Sequence, residues 1–240
     1  MPSTNGTNAK LTLYTAKVCP YAARAELALA VAGIDYETFA VDLLNKPEWY
    51  AERINAASKV PVLVSEENDH QFKLPESLVI VEYIHDLTSS IFTSTSPAHK
   101  ATSRYVVERY AQLVQPHYYA AAILRDEAAV GKLREGLRSF NDLLESFDQG
   151  KGDFVLGEER FGYADLNIVP FVGRILSISK HGLLPEREGN KVYDEVHAGG
   201  EGFGRLKRWW DAVEQTEAWQ KVWDEQGYLE PVKRKLAQQS

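Results

Sequence analysis

Strand-forming stretches crowd into the first third of the chain and almost vanish after Leu87. That split predicts a small α/β domain followed by an all-helical one, because each class of element needs its own kind to bury against. Leu11 to Thr15 alternates apolar and polar residues around Tyr14 and reads as a strand. The helix predicted from about Cys19 to Ala32 carries Pro20 in its first turn and Gly33 at its end. Tyr36 to Leu43 reads as a second strand, and Pro47 in "NKPEWYAERIN" lies near a helix start. Lys59 to Val64 reads as a third strand with Pro61 inside it, which means an edge strand or a special peptide bond. "QFKL" reads as a short fourth strand, and "PESLVIVEYIHDL" as a helix with Glu76 and Ser77 in its first turn. The β-α-β opening implies a parallel pair with a right-handed crossover, and the later strands a hairpin.

The Ser/Thr-rich stretch ending at Pro97 reads as a linker. The expected boundaries are a mobile arm over 1–9, an α/β domain over 10–88, a linker over 89–97 and a helical domain over 98–240. "HKATSRYVVERYAQLVQPHYYAAAIL" predicts one long helix kinked at Pro116. Leu133, Leu137, Phe140, Leu144 and Phe147 recur at helical spacing. "YADLNIVPFVGRILSISK" is too apolar for a surface helix and reads as the buried helix of this half. "EREGNKVYDEVHAGGEGFG" reads as a long polar loop, and four of the five tryptophans follow it in a pair of short helices, as core rather than a ligand box.

Composition narrows the function. A net charge of −7 and a pI near 5.5 argue against a nucleic-acid backbone binder. The single cysteine permits neither an internal disulfide nor a cysteine-based zinc site, and the six histidines lack ligand spacing, so no metal is expected. The opening "MPSTNGTNAK" lacks the apolar core of a signal peptide, and no apolar run is long enough to span a membrane. The expectation is a soluble cytoplasmic protein.

Cys19 stands where the first strand hands over to a helix. A helix start stabilises a thiolate, so the position suits a reactive thiol; it equally suits a small buried hydrophobe, and position alone leaves both open. Ala22 occupies the place of a second cysteine, which leaves a monothiol.

"CPYA" after a first strand, then "NKPEW", "KVPVL" and "PES" before a helix, together resemble the omega class of glutathione transferases. The likeness covers most of the chain, and "FGYADLNIVPF" adds to it. There Gly162 stands where the family usually caps its helix with Ser or Thr, Asp165 is kept, and Phe161 and Leu166 are spaced for a hydrophobic staple. The resemblance implies a thioredoxin-like N-terminal domain and an all-α C-terminal domain. It implies glutathione as co-substrate and Cys19 as the residue that forms a mixed disulfide with it. Glu76 would take the γ-glutamyl amine, Ser77 the γ-glutamyl carboxylate, and the Val60 backbone, before a cis Pro61, the cysteinyl amide. Lys46 would meet the glycyl carboxylate, with Lys59 a competing candidate, and Tyr21 would line the pocket mouth. A hydrophobic or aromatic second substrate would lie near Tyr118 and Arg174, although Arg174 also reads as a helix-surface arginine. Tyr14 evokes the tyrosine type of the family, but a mid-strand tyrosine is more often core. Thiol transfer, deglutathionylation and glutathione-dependent reduction are the implied reactions, and a homodimer the implied assembly. Tyr105, Tyr110, Tyr118 and Tyr119 agree with a dimer, being more aromatics than one stripe can bury. The rival is a non-catalytic carrier of aromatic ligands on the same fold.

Overall fold

The computed structural model describes residues 10–67, 70–186 and 191–238, so the arm expected over 1–9 lies outside the described residues. The chain forms two compact units. One comprises residues up to Phe92 together with Lys221–Tyr228, and the other Thr93–Gln220 with the residues from Leu229 onward.

The first unit is built on a four-stranded sheet of order β2-β1-β3-β4, from β1 (Lys10–Thr15), β2 (Glu37–Ala40), β3 (Val62–Glu67) and β4 (His70–Pro75). β1 pairs parallel with β2 and antiparallel with β3, and β3 pairs antiparallel with β4, as the crossover-plus-hairpin pattern requires. Between β1 and β2 runs α1 (Pro20–Ala32). It ends on Gly33 at φ 65°, where Gly33 and Ile34 N–H groups cap the carbonyls of Ala30 and Leu29. α2 (Trp49–Arg53) is a single short turn, and α3 (Ser77–Thr88) follows β4.

Two strand boundaries differ from those read in the sequence. β2 stops at Ala40 instead of Leu43, because Asp42 accepts the Leu44 N–H at 2.9 Å and turns the chain away. β3 begins at Val62, so Pro61 precedes the ladder and removes no N–H from this central strand.

The second unit is helical. α4 (Pro97–Leu113) and α5 (Gln115–Ala122) are separate helices where one kinked helix was expected; Pro116 falls in the first turn of α5, which needs no N–H there. α6 (Glu127–Ser146) starts at Asp126, whose carboxylate caps Ala128 N, and buries Leu133, Leu137, Phe140 and Leu144. α7 (Tyr163–Lys180) is buried from Tyr163 through Ser179. The segment expected as a loop holds α8 (Val192–Ala198), a helix too short to show a period, seated by Val192 and Val196 one turn apart. α9 (Gly204–Glu214) and α10 (Glu217–Val222) carry three of the tryptophans, and α11 (Glu225–Ala237) closes the described chain with Pro231 inside it. The tryptophans are core: Trp209, Trp210 and Trp219 are buried, and a Cβ at Gly173 would stand 2.5 Å from the Trp219 ring.

Asp165 locks the start of α7. It is fully buried and accepts N–H bonds from Gly162 (2.9 Å), Val155 (2.9 Å) and Trp209 Nε1 (2.7 Å). Burial outweighs these donors and raises its carboxyl to about 6. A carboxyl that is raised in the folded state stabilises most below its unfolded value of about 3.9, and that contribution is lost as pH rises through 6. In Asp165→Asn the amide would turn an N–H toward Gly162 N–H and leave it unpaired, costing about 1–3 kcal/mol at pH 7. Denaturant titrations should show that loss, with a wider gap between wild type and variant at pH 5 than at pH 7.

Candidate active site

Cys19 is the N-cap residue of α1, with φ −86° and ψ 115°, and it is half-buried. Its N–H donates to Ala16 O at 2.9 Å, and its carbonyl accepts Ala23 N–H, so the backbone is held while the sulfur sits at the positive end of α1. The loop before it is tied to α1 by Glu26, a buried carboxylate that accepts from Thr15 Oγ1 (2.7 Å) and Lys17 Nζ (3.2 Å). Beneath Cys19 lies an apolar cluster of Ala16, Ala22, Val41, Tyr50 and Val60, with Tyr14, Phe39 and Trp49 against it. Tyr14 packs on Phe39 (4.9 Å between ring centroids) and Tyr50 (6.0 Å), a core role.

Across from the sulfur is the turn before β3. Cys19 Sγ lies 3.8 Å from Val60 O, and the Val60–Pro61 peptide is cis. Val60 and Pro61 border a cleft of about 340 Å³, lined also by Tyr21, Asn55, Lys59, Glu76 and Ser77. That volume suits a small ligand. Glu76 adopts φ 73° and ψ 111°, an unfavourable backbone for a side chain with a Cβ, which costs roughly 1–3 kcal/mol and is tolerated only where its surroundings enforce it. Ser77 is the first residue of α3, so its hydroxyl and the N-terminal end of the helix meet at the same wall.

Of the residues expected to bind, Tyr21, Val60, Glu76 and Ser77 thus share one cleft, and Cys19 adjoins it through Val60. Lys59 lines the cleft; Lys46 does not, and its Nζ donates to Ser58 O at 2.5 Å. Tyr118 and Arg174 belong to the second unit, and both are buried there. The Tyr118 ring lies tilted against Tyr119 (5.4 Å between centroids), and Arg174 Nη1 donates to Pro170 O at 2.8 Å. The alternative of a helix-surface arginine at position 174 therefore falls away. Asn55 lines the cleft without having been singled out in the sequence; its side chain accepts Ala57 N–H, the Asx turn that "NAAS" foreshadows.

Residues 13–90 match the family model for the glutathione S-transferase N-terminal domain. A glutathione transferase Omega 1C from Trametes versicolor is 31% identical, with TM-score 0.82, covering 95% of this chain and 97% of that one. Omega 2C from the same fungus is 28% identical, also with TM-score 0.82, over 95% and 99%. A probable glutathione transferase omega-2 of Caenorhabditis briggsae is 28% identical over 205 residues, 84% of this chain and 76% of that protein.

The placement of Cys19 generates a first chemical test. Its alkylation by iodoacetamide should reach half its maximal rate below pH 8.5, the region of a free cysteine, because the start of α1 favours the thiolate. A profile centred on the free-cysteine value would mean that the helix end does nothing for the sulfur.

Proposed function

This chain belongs to the glutathione transferase family, on its omega-like branch, and on that premise we propose that its transferase chemistry runs through Cys19. The observation that carries the reading is the Cys19 sulfur, 3.8 Å from the Val60 carbonyl, beside a cleft that also holds Glu76 and Ser77.

Glutathione offers an ammonium, two carboxylates and a thiol. The Glu76 carboxylate complements the γ-glutamyl ammonium. Ser77, at the start of α3, complements the γ-glutamyl carboxylate, as helix N-termini do for anions. The Val60 backbone faces the cysteinyl segment. Lys59 is the better partner for the glycyl carboxylate, since it lines the cleft while Lys46 is occupied with Ser58 O. Tyr21 closes the mouth. A hydrophobic or aromatic second substrate is placed near Tyr118 and Arg174, both buried in the second unit.

The Cys19 thiolate attacks the glutathionyl sulfur of a mixed disulfide. A Cys19–glutathione disulfide forms, and the substrate leaves as a thiolate that takes a proton from solvent. With a glutathionyl-ketone the same attack breaks the carbon–sulfur bond, and the enolate is protonated. A second glutathione thiolate then attacks the glutathionyl sulfur, returning Cys19 and releasing oxidised glutathione. A monothiol suffices, because glutathione supplies the resolving thiol. A single cysteine that must stay reduced fits the cytoplasm, and among the described residues no helix is long and apolar enough to cross a membrane. Of the tyrosines expected as an aromatic surplus, Tyr110 and Tyr118 are buried within the helical unit; a homodimer instead fits the half-exposed side chains Phe72, Val79 and Tyr105.

After incubation with oxidised glutathione, mass spectrometry should find one glutathionyl adduct, absent from Cys19→Ser, and that variant should lose turnover of glutathionylated disulfides and ketones. Turnover that survives in Cys19→Ser would refute the cysteine mechanism. Glu76→Ala and Ser77→Ala should each weaken glutathione binding about ten- to a hundredfold, the worth of a charge-assisted hydrogen bond. Light scattering at micromolar concentration should report twice the chain mass; the mass of one chain would rule out the dimer.

A further inference from the structure

The turn from Asn55 to Val60 carries two walls of the cleft, yet it has no regular secondary structure and contains Ser58 at φ 51°. Such a segment is placed by whatever bonds its carbonyls. Three side chains do so: Lys46 Nζ donates to Ser58 O (2.5 Å), Asn55 Nδ2 to Lys59 O (3.0 Å) and Tyr50 Oη to Lys59 O (2.9 Å). They are not equivalent. The Asn55 bond is exposed and open to competition from water, whereas the Lys46 and Tyr50 bonds are both part-buried. Tyr50 is fully buried, so its hydroxyl must find a protein partner, and its partner is the peptide immediately before Val60.

The same ring belongs to the apolar cluster against which Cys19 packs. Its main chain organises the turn as well: Tyr50 O accepts the N–H groups of Ile54 and Asn55. We propose that Tyr50 is a positioning residue of the glutathione site: its ring supports Cys19, and its hydroxyl sets Lys59 and Val60 at their distance from the sulfur. The inference rests on the reading of the cleft as a glutathione site, and it adds a residue that touches no substrate. Burial first, with Tyr14 and Cys19 adding to it, pushes the Tyr50 phenol up to about 12, so it remains a donor throughout the working range.

Tyr50→Phe separates the two roles, because the ring stays and only the hydroxyl goes. With the Asn55 bond still in place, the lost bond should raise the KM for glutathione about three- to tenfold and leave kcat within twofold. A merely structural role would instead lower the folded fraction, which reduces kcat at constant KM. The second readout needs no ligand: hydrogen exchange of the Ser58 amide, which is bonded to Asn55 O at 2.7 Å, should quicken at least threefold in Tyr50→Phe. A variant with wild-type KM and wild-type exchange overturns the inference. A wild type whose turnover does not depend on glutathione overturns the reading of the cleft instead, and faster exchange in Tyr50→Phe would then still support the anchoring of the turn.

Discussion

The cleft depends on one peptide, the Lys59 carbonyl, held from below by a buried phenol and from the side by Asn55. That peptide sets Lys59 on one side and Val60 on the other. The Val60 carbonyl in turn lies 3.8 Å from the Cys19 sulfur. A hydrogen bond to a buried donor is worth only about 1 kcal/mol net, yet leaving that donor unmade costs more, and this asymmetry is what makes Tyr50 hold its partner. The bond therefore acts less as a source of stability than as a constraint on where the turn can be.

Electrostatics then follows from where two helices begin. Cys19 caps α1 and Ser77 opens α3, so in the proposed site the positive ends of the two helices would meet the thiolate and the γ-glutamyl carboxylate. Neither helix has an acidic residue in its first turn to cancel that field. Glu76 stands one residue before α3, in a backbone conformation that turns it out of the helix. The strain at Glu76 is tolerable because β4 and α3 fix the chain on both sides of it. In the helical unit a different carboxylate does structural work. Asp165 gathers three N–H donors from three separate segments and so joins α7 to α9 and to the turn at Val155.

Much of this was legible in the sequence. The β-α-β opening, the hairpin and the buried helix at Tyr163 all declare themselves, because hydrophobic periodicity is a local property. Pro20 and Gly33 mark the ends of α1 for an equally local reason, since each has a backbone preference of its own. Elements with no period of their own were illegible: α8 depends on two valines finding a core, and β2 ends where an aspartate side chain intervenes.

For the site, sequence alone determined the residue types and their order: a lone thiol before a proline, a Val-Pro step, and a Glu-Ser pair at a helix start. Only tertiary structure puts Lys59 on the wall of the cleft and the Lys46 ammonium on Ser58 O. Lys46 and Lys59 are indistinguishable as letters, and it is folding that gives them different partners. Likewise the helix-surface reading of Arg174 gives way only once packing encloses it. Tyr50 and Asn55 carried no signal as binding residues, because both act on the same carbonyl, and no periodicity or motif records which peptide a side chain will meet once the chain has folded.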